Sequence, residues 1–130
     1  MTLQECYGLL EGDYNDVKKR LLSDQRITKF AVKFLNDGSF EGIVNSIISN
    51  EYQKAFSFAH TLKGISQTLG FTKLSNSAAA MADALRRGNN VLAQFLLPQL
   101  AESYTQTTKA LQCYQNGKTS LCLNKYQRMY

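Results

Sequence analysis

The chain has 130 residues, of which 44% are hydrophobic and one is proline, a composition suited to a single folded domain with its own core. Its net charge of +5 would fit a nucleic-acid binder, but the basic residues are scattered along the chain. We therefore expect a solvated basic surface and no nucleic-acid partner. No run of about 18 apolar residues and no signal-peptide pattern occur, so we expect no membrane span and a cytoplasmic location.

Three cysteines, Cys6, Cys113 and Cys122, show no C-x-x-C spacing, and the chain has one histidine. Zinc sites and disulfide frameworks normally need such spacings or more ligands. We therefore expect reduced thiols, no metal site and no bound cofactor. Phosphate-binding and dinucleotide-binding loops are also missing from the sequence, so ATP binding and kinase activity are not expected.

The N-terminal third of the chain predicts two short helices and a longer one. Thr2 and Glu5 form a capping-box pattern, and Asp13 can cap a second short segment. Ser23 precedes an amphipathic helix that ends at residues 36–38. We expect the two short N-terminal helices to cover one end of a helical bundle.

The next segment, residues 39–50, could form a helix or a strand. Ser39 is placed to cap a helix, and the apolar residues recur at spacings of three and four. Its β-branched residues would also suit a strand. The spacing favours a helix.

Residues 51–70 contain the only histidine, His60. Wound as an α-helix at about 100° per residue, this stretch has one apolar line and places His60 on the opposite side, facing solvent. The residues predicted to be buried on that line are Ala55, Phe58, Leu62, Ile65 and Leu69.

Lys63 and Gly64 follow His60 by three and four residues and should lie beside it. A glycine inside a helix costs about 1 kcal/mol relative to alanine, so Gly64 is expected either to leave room for another molecule or to allow a close helix–helix contact. Lys63 would balance an anionic group on the imidazole, and neutral imidazole is a good nucleophile. The set suits a histidine that accepts an anionic group such as phosphoryl.

Two further residues are candidates for partner binding on this side of the helix. Phe56 lies one turn before His60 and is either an exposed anchor for a partner or a residue packed under the N-terminal helices. Gln67 lies two turns after His60 and is a polar candidate for the same surface.

Two more helices are predicted after Gly70. The first ends at Gly88, and its small residues should let it pack closely and antiparallel against the His60 helix. Its predicted buried residues are Leu74, Ala78, Met81 and Leu85. The second covers residues 90–115 and contains Pro98, which should kink it or start it afresh. Its candidates for burial are Val91, Leu92, Phe95, Leu96, Leu100, Tyr104, Leu111 and Tyr114.

These elements predict an all-α fold: an up-down four-helix bundle with short N-terminal helices, formed by residues 1–116. From Gly117 the apolar periodicity is lost, and residues 117–130 carry Lys118, Lys125 and Arg128 without an acidic residue. This composition is typical of a mobile basic tail.

The run from His60 to Gly70, HTLKGISQTLG, closely resembles the H-x-L-K-G-(x5)-G signature of histidine-containing phosphotransfer (HPt) domains. By this resemblance His60 is the phosphorylated residue, Lys63 helps to neutralise the phosphoryl group, and Gly64 admits the partner. Gly70 would end the helix. Some members of the family hold the imidazole with a glutamine of the following helix, and that position falls near Ala82, which has no polar side chain.

The resemblance implies a phosphorelay intermediate without autokinase activity. His60 would accept a phosphoryl group from a receiver-domain aspartate, or from a hybrid histidine kinase, and pass it to a response-regulator aspartate. Mg²⁺ would be bound by the partner receiver domain and not by this chain, and the chain would be monomeric. The alternative is an adaptor or inhibitor that binds a receiver or kinase through the same helix face without phosphotransfer.

Overall fold

The computed structural model describes residues 1–117, and within them the chain forms seven α-helices and no β-strand. The all-α prediction is therefore confirmed for this part of the chain. The helices are α1 (Leu3–Leu9), α2 (Tyr14–Leu21), α3 (Asp24–Phe34), α4 (Ser39–Ile48), α5 (Tyr52–Thr68), α6 (Thr72–Arg86) and α7 (Asn90–Asn116).

Helices α4 to α7 form the four-helix bundle. Each packs against the next along the chain, α4 also touches α7, and the connections are too short for anything but antiparallel neighbours. Helix α6 packs closely against α5 and α7 because several side chains on its inward face are small. Its four predicted core residues are all buried: Leu74, Ala78, Met81 and Leu85.

The three helices that precede the bundle begin at the predicted caps. The side chains of Thr2, Asp13 and Ser23 each accept a hydrogen bond from the backbone N–H three residues later. Helix α1 packs on α7, α2 packs on α3, and α3 also touches α7. The N-terminal cover of the bundle therefore has three helices, because α3 belongs with the two short ones.

The prediction for the start of α4 is correct in the type of element and wrong in the cap. Residues Ser39–Ile48 are helical, but Gly38 occupies the cap position and Ser39 is already in the first turn. The carboxylate of Asp37 accepts the hydrogen bond from the Ser39 backbone N–H at 3.0 Å. A carboxylate two residues upstream thus replaces the serine hydroxyl.

Helix α7 differs from its predicted pattern of burial. Val91 and Phe95 are each 79% exposed and Leu92 is 39% exposed, whereas Ala93 is buried. The first turns make polar as well as apolar contacts: Gln94 Nε2 donates to the Tyr52 hydroxyl at 2.7 Å, and the half-buried Leu96 packs against the core. Farther along, Leu100 and Leu111 are buried as predicted, and the other buried residues are small or polar: Ser103, Gln106, Thr107, Ala110 and Cys113.

Pro98 does not divide α7, which is continuous from Asn90 to Asn116. The prediction of a fresh helix start is therefore wrong. Proline removes the hydrogen bond that its N–H would donate to the Gln94 carbonyl. The helix nevertheless continues, because buried residues such as Ala93 and Leu100 hold it to the bundle on both sides of Pro98.

The cysteines differ from one another. Cys6 is a free, fully buried thiol whose Sγ donates to the Ala110 carbonyl oxygen at 3.5 Å, and burial raises its pKa to about 12. Cys113 is disulfide-bonded, so the expectation of reduced thiols is wrong for this residue. The predicted tail lies outside the described residues, apart from Gly117.

Candidate functional site

His60 lies in the middle of α5 with its side chain exposed to solvent, as its position on the helix predicts. The buried face of α5 consists of Ala55, Ala59, Leu62 and Ser66, together with Leu69 just past its end. Two of the predicted core residues do not belong to it. Phe58 is 38% exposed and Ile65 is half-buried. Phe58 turns away from the core because its ring lies over Gly42 of α4, where a Cβ would come within 2.6 Å of it.

Phe56 contacts the imidazole of His60. The two ring centroids are 6.0 Å apart and the ring planes are inclined by 29°, which is an offset, stacked arrangement. Phe56 is itself half-buried and packs against the bundle core. Phe56 is therefore only partly exposed, unlike the exposed partner anchor that one of the two predictions assumed, and its ring contacts that of His60.

The backbone beside His60 is open at Gly64. Among residues 1–117, no heavy atom of another element lies within 4 Å of a Cβ placed on this glycine, so Gly64 does not serve a close contact between the described helices. Lys63 is half-buried and Gln67 is exposed. Within residues 1–117 no carboxylate pairs with Lys63, so its charge is available to a group that arrives from outside.

An apolar groove of about 740 Å³ adjoins His60 and separates α5 from α3. The bundle side consists of residues from the turns around and after His60, and the other side comes from the end of α2, from α3 and from the loop that follows α3. Its lining residues are Leu21, Phe30, Lys33, Phe34, Asn36, Asp37, His60, Thr61, Gly64, Ile65, Thr68 and Leu69.

The contribution of α3 to this groove was not predicted. The spacing of α3 marks Phe30 as a core residue, whereas its ring is 41% exposed and lines the groove together with Lys33. The available signal was that Phe30 lies at the edge of the apolar stripe of α3. Nothing local indicates that α3 faces His60, because that contact depends on how the N-terminal helices fold back.

The N-terminal helices hold the carboxyl end of α5 through backbone carbonyls. The guanidinium of Arg20 donates to the carbonyl oxygens of Gln67 and Thr68 at 2.9–3.2 Å. The buried hydroxyl of Tyr7 donates to the Leu69 carbonyl at 2.6 Å. Carbonyls at the end of a helix lack the N–H donors of a following turn, so these hydrogen bonds let α1 and α2 fix the end of the helix that carries His60.

Gly70 closes this end of α5 as predicted. Its φ of +73° is the left-handed conformation that favours glycine, and its carbonyl accepts a hydrogen bond from the Asp13 N–H at 2.8 Å. A Cβ at this position would lie 2.9 Å from the Asp13 carbonyl oxygen. Gly70 is thus required both by its conformation and by the close approach of the N-terminal segment.

Two further features limit the chemistry of the site. Residues 1–117 contain no group of three or more His, Cys, Asp or Glu side chains that could hold a metal ion. Ala82 is buried on α6 and has no group that could bond to the imidazole.

None of the described helices is both long and apolar enough to cross a membrane.

The family model of the Hpt domain matches residues 38–110 of the chain. This range is more than half of the chain, begins at the cap of α4 and covers most of the four-helix bundle, including His60. Comparisons with curated proteins and with solved structures returned no match. Hpt domains are phosphocarriers that interact with receiver domains and kinases. The chain belongs to the Hpt domain family, and its family role is phosphotransfer in two-component signalling.

Proposed function

We propose that this protein is a phosphorelay intermediate in which His60 carries the phosphoryl group. It accepts phosphoryl from a receiver-domain aspartate or a hybrid histidine kinase and passes it to a response-regulator aspartate. The observation that carries the proposal is the open position of His60. The only histidine of the chain is exposed on the solvent-facing side of a bundle helix of an Hpt domain, with no side chain on the residue one turn away.

The transfer requires little from this chain besides access and position. A ring nitrogen of His60 attacks the phosphorus of the aspartyl phosphate, so that an N–P bond forms. The acyl P–O bond breaks, and its electron pair leaves with the aspartate carboxylate. The phosphorylated imidazolium loses its remaining ring proton to solvent, and the reverse sequence loads the next aspartate.

Lys63 is suited to balance the negative charge of the phosphoryl group, because it lies one turn from His60 and has no carboxylate partner in the described residues. Mg²⁺ would be supplied by the receiver, and this chain would bind no cofactor. The reaction would take place in the cytoplasm.

The groove between α5 and α3 is the proposed docking surface for the receiver domain. It is continuous with His60 and Gly64, so a partner that reaches the imidazole must cover it. Its apolar lining would supply most of the binding free energy, and Lys33 at its edge could pair with an acidic group of the partner. Gln67 lies on the exposed side of α5 and would contact the same partner.

The second candidate function is an adaptor that binds a receiver or kinase through this face without phosphotransfer. The groove favours it as much as it favours the carrier, because docking requires no reactive histidine. The two functions differ in what happens at His60.

Label transfer tests the proposal directly. The protein is mixed with a ³²P-phosphorylated receiver domain and Mg²⁺, and the product is tested for an acid-labile, base-stable phosphate. We expect label on the native chain and none on the His60→Gln variant, which should still bind the receiver. Binding without label, for a set of receivers that load other Hpt proteins, would contradict the carrier and support the adaptor.

A further inference from the structure

The imidazole of His60 has no hydrogen-bond partner among the described residues, so its orientation needs another explanation. An exposed histidine side chain turns about two bonds and would populate several rotamers if nothing restrained it. Each rotamer places the ring nitrogens differently, and only some of them face an incoming phosphoryl group. A restraint on the ring would therefore raise the fraction of productive encounters.

The ring of Phe56 is the restraint that the structure shows. Its centroid lies 6.0 Å from that of the imidazole at an inclination of 29°, within the range of offset stacking. Phe56 is half-buried and packs against the bundle core, so it is held more firmly than the histidine. Stacking acts on the face of an imidazole and not on the edge that carries its two nitrogens, so it is compatible with attack by a ring nitrogen.

We propose that Phe56 is the positioning residue of the phosphotransfer site, which holds the imidazole of His60 by stacking in place of a hydrogen bond. The inference rests on the proposed function of His60. It differs from the role of partner anchor, because Phe56 does not line the groove that adjoins His60. An anchor would change receiver affinity, whereas a positioning residue changes the transfer rate within the complex.

The first test separates these two effects in single-turnover transfer from a phosphorylated receiver. In Phe56→Leu we expect the rate at saturating receiver to fall about three- to tenfold, the equivalent of one aromatic pair, with receiver affinity unchanged. Phe56→Tyr should restore the rate. Phe58→Leu is the matched control, because it removes a partly exposed ring of the same helix that does not contact His60, and its rate should stay native. A native rate in Phe56→Leu, or a loss confined to affinity, would overturn the inference.

The second test needs no receiver, and its deciding observation is made on the native protein, so it stands even where a variant fails to fold. We expect NMR cross-relaxation between the ring protons of Phe56 and those of His60, and an upfield ring-current shift of the imidazole protons. The shift should vanish in Phe56→Leu and persist in Phe58→Leu. The absence of both signals in the native protein would overturn the inference even if His60 takes up phosphate. Signals without any phosphate uptake would instead overturn the proposed function, and with it the role of the stack.

Discussion

His60, Lys63 and Gly64 lie within two turns of one helix, so their proximity follows from helix geometry alone. The packing of the other described helices decides that none of them covers Gly64. Because a Cβ there would meet no other element, the residue can be changed without disturbing the fold. Stability and function should therefore respond to Gly64 in opposite directions.

We expect Gly64→Ala to raise the free energy of unfolding by about 0.5–1 kcal/mol, because alanine restricts the unfolded chain and favours the helix. The same methyl group should slow transfer from a receiver, since it stands where the partner approaches His60. Urea denaturation and single-turnover transfer measure the two effects. Gly8→Ala is the control: Gly8 lies in α1, its Cβ would also meet nothing, and it should gain stability without a change in transfer. Equal transfer rates in the two variants would contradict the docking role of Gly64.

At the scale of elements, the end of α5 is set by the N-terminal helices. The hydrogen bonds of Arg20, Tyr7 and the Asp13 N–H converge on successive carbonyls from Gln67 to Gly70. Through these contacts the first two helices hold the helix that carries His60. Their removal would disturb the site without touching its residues.

The close approach at Gly70 can be separated from its backbone strain. Gly70 and Gly88 both have φ near +70°, but a Cβ would contact Asp13 only at Gly70 and would meet nothing at Gly88. The left-handed conformation should lower the free energy of unfolding of each alanine variant by about 1–2 kcal/mol. We expect a larger decrease for Gly70→Ala, because its methyl group also meets the Asp13 carbonyl. Urea denaturation of the two variants measures the difference. Equal losses would show that the N-terminal segment yields easily at this contact.

Glu11 joins the end of α1 to α6 and α7. Its carboxylate accepts hydrogen bonds from Gln106 at 3.0 Å and from Lys73 at 2.9 Å, and these two bonds lower its pKa below the ordinary value of 4.5. A lowered pKa in the folded state adds stability that is complete above pH 4.5 and is lost as the pH falls through the folded pKa. The carboxylate is largely exposed, so the contribution is small.

We therefore expect Glu11→Gln to be less stable than the native protein at neutral pH and to approach it once the pH falls below the lowered pKa of Glu11, where both side chains are uncharged. Urea midpoints over a descending pH series measure this. Asp24→Asn should behave likewise through a separate contact, because hydrogen bonds from Lys18 and Tyr14 lower the pKa of Asp24. In the double variant the two losses should add, since the contacts share no partner. A stability difference for Glu11→Gln that does not change with pH would contradict this role of the carboxylate.

At the scale of the whole molecule, the net charge of +5 favours encounter with an acidic partner. Raising NaCl from about 0.05 to 0.5 M should lower the association rate with a receiver by about tenfold and change dissociation less, since screening acts on long-range attraction. Stopped-flow binding measures both rates. The same titration against duplex DNA tests the nucleic-acid alternative, for which we expect no saturable binding. Tight DNA binding with a steep salt dependence would favour that alternative.

The sequence by itself determined the features that depend on near neighbours in the chain. Thr2, Asp13 and Ser23 cap their helices because a side-chain oxygen needs only the next turn to bond with. The exposure of His60 and the burial of the α6 core face follow in the same way from helix periodicity, and the signature around His60 identified the family that residues 38–110 confirm.

The tertiary structure alone decided which apolar faces are covered and by what. Phe58 and Phe95 have the periodicity of core residues, yet Phe58 lies partly exposed over Gly42 and Phe95 is mostly exposed. The groove formed with α3, the stack of Phe56 on His60 and the hydrogen bonds at the end of α5 depend on where side chains and distant helices settle. Periodicity states which side of a helix is apolar. Only the packing of the other helices states how much of that side is buried.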